Sequence, residues 1–215
     1  MRTRAAAVVV LTCTALTAGC GSKTPDYQSI WTTSGTATTA TTTEAPIPIG
    51  QYLKDQGIVG EQVAPNSLTD LTVSIPTPPG WSKRKNPKLP ADTQVIGKGD
   101  KYPRAILTVF KVNGAFDAGE LVKHGLADAE LAPNFHKLDY STADFHGFPS
   151  GMIQGSHDLD GQRVQSWFRM VIATGSPPDN QRYLVQLSII TPADQAAAQA
   201  ADVETIINGF TVAAK

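Results

Sequence analysis

Cys20 is the residue whose surroundings most clearly dictate chemistry. Arg2 and Arg4 make a short basic start, residues 5–16 form an uncharged apolar run, and Leu16-Thr17-Ala18-Gly19 leads directly into the cysteine. That is the layout of a bacterial secretory signal peptide closed by a lipobox. Ala18 and Gly19 supply the small side chains a signal peptidase needs before its cut. The thiol of Cys20 would then carry S-diacylglycerol and its freed amine an N-acyl chain such as palmitate. Thr17 stands where a lipobox usually has Leu, Val or Ile, and Leu16 sits one place early. The rival Cys13 follows a Thr and too short an apolar run. The opposing reading is an ordinary secreted protein with an incidental cysteine.

Other chemistry is thin. His124, His136, His146 and His157 lack metal-binding spacing, and surface or turn roles are expected for them; His136 and His146 would meet only if their strands paired. Ser150 in Gly147-Phe148-Pro149-Ser150-Gly151 is displaced by one from a nucleophile elbow. Asp158 and Asp160 before Gly161 resemble a fragment of a calcium loop, but the third oxygen ligand and the later Glu are missing. A hairpin turn accounts for them. Neither a metal nor a cofactor is expected. Lys83, Arg84, Lys85, Lys88, Lys98 and Lys101 cluster. They fit either an anionic membrane surface, at about 1 kcal/mol per charge, or a solvated loop after a core Trp81.

Composition sets the frame. Net charge is −1 and charged residues are 17% of the chain, so no strong field favours nucleic acid. With Cys13 removed and Cys20 acylated, the folded part holds no thiol for metal binding or catalysis and no disulfide. The apolar run is shorter than the about 20 residues a bilayer span needs. Anchoring therefore falls to acyl chains, at about 0.8 kcal/mol per buried methylene. The organisation expected is a signal peptide over 1–19, a lipidated N-terminus and disordered Thr-rich linker over 20–46, and a globular domain over 47–215. Residues 32–43 hold eight threonines and almost nothing to bury, as a disordered tether would. Both a glycosylated stalk and a bare spacer fit. Tyr27, Ile30 and Trp31 interrupt its polarity.

Within the domain, Ile49, Tyr52 and Leu53 share one face of a short helix over 49–56, stopped by Gly57. Residues 71–75 alternate as a strand, and 93–98 make another short one. Residues 104–112 are apolar on both faces, as in a central strand. Asp117 and Glu120 resemble a capping box for a helix ending near Leu131, with Leu121, Val122, Gly125, Leu126 and Ala129 buried. Residues 135–143 alternate weakly. Segments 151–156 and 163–174 flank a hairpin turn. In the second arm Val164, Ser166, Phe168, Met170 and Ile172 oppose Arg163, Gln165, Trp167 and Arg169. Tyr183, Val185, Leu187 and Ile189 alternate. Thr191 as N-cap and Pro192 at the first helical position predict a last helix with Ala196, Ala200, Val203, Ile206 and Ile207 inward, stopped by Gly209. Phe210 and Val212 suggest a closing strand. The order predicts an α+β antiparallel layer structure.

The stretch from Leu71 to Trp81 (LTVSIPTPPGW), Ser141-Thr142-Ala143-Asp144-Phe145, Gly147-Phe148-Pro149-Ser150 with Met152-Ile153-Gln154-Gly155-Ser156, and the stretch from Gln181 to Leu187 (QRYLVQL) closely resemble the mycobacterial LpqN/LpqT lipoprotein family over nearly the whole mature chain. The resemblance implies a mycobacterial cell envelope and a Mog1/PsbP-like α/β/α sandwich, an antiparallel β-sheet with helices packed on its faces. It supplies no catalytic residue and maps only the lipobox cysteine, onto Cys20. The expectation is a non-enzymatic lipoprotein on the outer face of the plasma membrane whose domain binds an envelope lipid or glycan. The rivals are a protein-interaction module serving an envelope assembly or transport complex, and a cryptic hydrolase. Innate immune receptors would recognise the acylated N-terminus rather than the domain.

Overall fold

Period-two alternation dominates the later half of the chain. In the computed structural model, which describes residues 47–215, it becomes a broad antiparallel sheet. The expectations placed on Cys20, the signal peptide and the tether lie outside the described residues. The strands are β1 (Val59–Val63), β2 (Leu71–Ser74), β3 (Ser82–Arg84), β4 (Gln94–Gly97), β5 (Arg104–Asn113), β6 (His136–Ser141), β7 (Ser150–Leu159), β8 (Gln162–Thr174), β9 (Arg182–Pro192) and β10 (Thr211–Ala214). The helices are α1 (Ile49–Asp55), α2 (Ala118–Glu130) and α3 (Ala196–Gly209). The main sheet runs β3-β4-β5-β9-β8-β7-β6. On the β4 side of β5, residues 104–107 pair with β4 and residues 109–113 with β1. β2 and β10 form a separate antiparallel pair.

Strands apolar on both faces need cover on both sides, and the chain provides it. On one face Phe110, Met170, Ile172 and Leu184 pack against Ile49 and Leu53 of α1 and Leu121 and Leu126 of α2. On the other, Leu107, Val171, Val185 and Leu187 pack against Leu71 and Val212 of the small sheet, Ile206 of α3, and Phe210. The result is the expected α/β/α layering. Burying each such Leu or Ile contributes about 1.5–3 kcal/mol.

Local chemistry explains most boundaries. The Asp117 carboxylate accepts the Glu120 amide at 2.8 Å and caps α2. Glu120 pairs with Lys123, so the cap is one-sided rather than a full capping box. Leu159 pairs with Gln162 across Asp160-Gly161. Both turn residues have positive φ, 52° and 77°, the conformation a two-residue type I′ hairpin demands.

Two expectations fail. Thr191 is not the N-cap of the last helix and Pro192 does not begin it. β9 continues through Pro192 because Thr191 pairs with Gln165 of β8, and a short 3-10 turn, Ala193–Gln195, intervenes without a side-chain cap. Nor is Lys83-Arg84 merely loop. It lies in β3, at the edge of the sheet, where charged side chains discourage pairing with another chain's strand.

Candidate functional site: a cleft beneath helix α3

Helix α3 touches the sheet chiefly through Val203, Ile206 and Ile207. Its Asp202 is clasped by Trp81 Nε1, which donates at 2.9 Å, and by Lys98 Nζ at 3.1 Å. These two donors hold the Asp202 carboxyl below the usual carboxylate range. The first two turns present Ala196, Ala197 and Ala200 to the strands, side chains too short to fill the gap. A cleft of about 360 Å³ remains, within the range of ligand-sized cavities. Trp167 and Ile189, paired across β8 and β9, lie on its sheet side, with Val203 and Ile207 opposite. Gln154, Gln165, Thr191 and Glu204 add polar groups to the lining. Ala200, expected on the buried face of α3, is exposed because the cleft lies beneath it.

Arg169 adjoins this cleft, two residues from Trp167 on the same face of β8. Its guanidinium lies 5.5 Å from the Trp167 ring centre and 4.8 Å from that of Phe145. Nη1 donates to Ser150 Oγ at 3.1 Å, while Nε is buried without an acceptor. Burial lowers the Arg169 pKa from its ordinary value. Ser150 is itself buried and donates to the Ala143 carbonyl at 2.7 Å. Its hydroxyl is thus engaged by a backbone oxygen and a guanidinium, an arrangement without a general base.

The histidines scatter. His124 stacks on Tyr52 and its Nδ1 meets the Ile47 carbonyl at 2.9 Å. His136 is exposed on β6, and His146 stacks on Phe145 in a turn, so the two do not face each other. His157 departs from the expected surface role: it is buried, its Nδ1 lies 3.4 Å from Ser166 Oγ, and burial lowers its pKa. Asp158 binds Asn134 and Arg163, and Asp160 binds Lys101 and Tyr102. Both carboxylates serve the hairpin's surroundings. Among the described residues, no group of three or more metal-ligating side chains assembles. Lys83, Arg84 and Lys85 border a second groove of about 420 Å³, which Val95, Pro65 and Asp92 also line and which holds no tryptophan.

The sequence model of the family described as "Probable lipoprotein LpqN" matches residues 45–213. The chain belongs to the LpqN/LpqT lipoprotein family. It is 56% identical to lipoprotein LpqT of Mycobacterium tuberculosis over 216 residues, covering 100% of this chain and 96% of that one. It is likewise 56% identical to LpqT of Mycobacterium leprae, covering 98% and 95%. The crystal structure of LpqN, a Mycobacterium tuberculosis protein involved in cell envelope biogenesis, superposes with a TM-score of 0.64 at 18% identity, covering 77% of this chain and 97% of that one. The LpqN/LpqT fold is thereby shared. A pocket between sheet and helices was an expectation of the lipid-binding reading, but its position under α3 and its lining were not, although alternation had placed Gln165, Trp167 and Arg169 on one strand face. A cation and an indole on the inner face of a central strand were the available signal.

Proposed function

We propose that this lipoprotein binds an amphiphilic envelope lipid in the α3 cleft, without catalysing its conversion, while acyl chains on Cys20 hold it at the outer face of the plasma membrane. The α3 cleft carries the reading. Trp167, Ile189, Val203 and Ile207 suit an alkyl chain, and the amide, hydroxyl and carboxylate groups of Gln154, Gln165, Thr191 and Glu204 suit a hydroxylated or otherwise polar head. Ser150, the nucleophile a hydrolase would require, is buried and engaged.

Filling the cleft tests this. Ala200→Phe places a ring in the mouth from an exposed helix position. Dodecyl maltoside, titrated below its micellar concentration, should bind the native chain saturably and the variant at least tenfold more weakly, with thermal midpoints unchanged. Equal binding by both proteins would remove the cleft from the account. The anchor is tested separately: Cys20→Ser should release the protein from membranes in a carbonate wash.

A second observation favours a protein partner as an additional role. Leu138 and Tyr140 are 54% and 45% exposed on edge strand β6, where a partner strand could add. Crosslinking in intact cells from position 138 should then capture one dominant protein.

A further inference from the structure

We propose that Arg169 makes the α3 cleft selective for amphiphiles whose head is an oxyanion, phosphate or carboxylate; this rests on the cleft being the lipid site. A guanidinium carries five N–H donors and no acceptor. Arg169 spends one of them, on Ser150 Oγ, and its Nε is buried with no acceptor. The five ion pairs among the described residues use Lys98, Lys101, Lys123, Lys137 and Arg163, so no carboxylate neutralises it. Arg169 is half-buried, so it gives up part of its hydration, a cost that pairing and hydrogen bonding would offset. The rings of Phe145 and Trp167 offset part of that cost through their π faces, but they accept no N–H bonds in the guanidinium plane. Packing alone would be served as well by Met or Leu.

An oxyanion supplies what is missing. Phosphates and carboxylates accept paired hydrogen bonds from one guanidinium and neutralise its charge. The location matches: Trp167 lines the cleft, and Arg169 lies one side-chain row further along that face, about 6.6 Å away along the strand. An alkyl chain lying between Trp167 and α3 leaves its head within reach. Glu204 is the one acidic side chain lining the cleft, exposed on α3; its repulsion of an anionic head is screened by solvent.

The test uses the mature chain with Cys20→Ser, to exclude its own acyl groups, and two probes with the same alkyl chain, dodecyl phosphate and dodecyl maltoside. The native residue at 169 should prefer dodecyl phosphate at least tenfold. Arg169→Met should abolish that preference, leave dodecyl maltoside binding unchanged and keep or raise the thermal midpoint; Arg169→Lys should retain part of it. Glu204→Gln should tighten dodecyl phosphate a fewfold. Inorganic phosphate should compete weakly. Phosphate alone binding as tightly as dodecyl phosphate would keep the anion site but remove the chain from the ligand. Equal binding of both amphiphiles, or an Arg169→Met variant that loses both together with its thermal midpoint, overturns the selectivity and leaves the cleft standing. Failure of both amphiphiles to bind native protein overturns both readings.

Discussion

Asp128 gives a sharp test of how the N-terminal helix is held. Its Oδ1 accepts the amide of Ile49, the first residue of α1, at 3.1 Å. Burial pushes the carboxyl from its ordinary value of 3.8 up to about 6, against the lowering effects of that hydrogen bond and the neighbouring His124. Between those two values the folded protein retains a proton that the unfolded chain has released. Stability therefore falls as pH rises through this window, and the carboxylate costs the fold about 3 kcal/mol once pH exceeds 7. Asp128→Asn resembles the protonated acid in shape and keeps an oxygen for the Ile49 amide. The variant should match the native protein at pH 3.5 and exceed it by about 2–3 kcal/mol at pH 7.5. Urea unfolding at the two pH values, with unchanged m-values, measures this directly. A variant equally or less stable at pH 7.5 would show that the hydrogen bond to Ile49 needs the negative charge and that burial does not dominate.

Three further substitutions probe the frame. A Cβ on Gly151 would lie 2.6 Å from both Leu126 Cδ1 and Val122 Cγ1, so Gly151→Ala should lower stability by about 1–3 kcal/mol, read by thermal unfolding. Asp117→Ala removes the cap of α2 and should cost about 1 kcal/mol by urea titration. Thr191→Val should change stability by less than about 0.5 kcal/mol, because Thr191 sits in β9 and not at a helix cap, whose loss costs about 1 kcal/mol.

The elements that sequence periodicity discloses are those whose burial is set by their own side chains. The inward face of α2, from Leu121 to Ala129, was readable because each of its members meets the sheet. The β7–β8 hairpin was readable because Asp160-Gly161 satisfies one turn geometry. β3 escaped notice since Ser82, Lys83 and Arg84 bury nothing and are recruited by backbone pairing with β4. The start of α3 was misplaced because Thr-Pro-x-Asp carries the local chemistry of a helix start, while pairing with β8 draws Thr191 into the sheet. The cleft's place beneath α3 was illegible for a related reason. It is made by what the alanines of α3 lack, and missing volume leaves no periodic trace. Arg169 stood on the correct strand face in the alternation, but its neighbour Phe145 arrives from a turn distant in sequence.

The described chain begins at Ile47, whose carbonyl meets His124 of α2, on the side of the sheet opposite α3. Whatever pulls on the polypeptide ahead of Ile47 therefore pulls from the back of the sandwich. With Cys20 acylated as proposed above, tension toward the bilayer would turn the alanine-lined opening away from it. On the lipid-binding reading proposed above, a lipid from a donor farther from the membrane would meet that opening directly, whereas one drawn from the bilayer beneath would require the domain to roll over first.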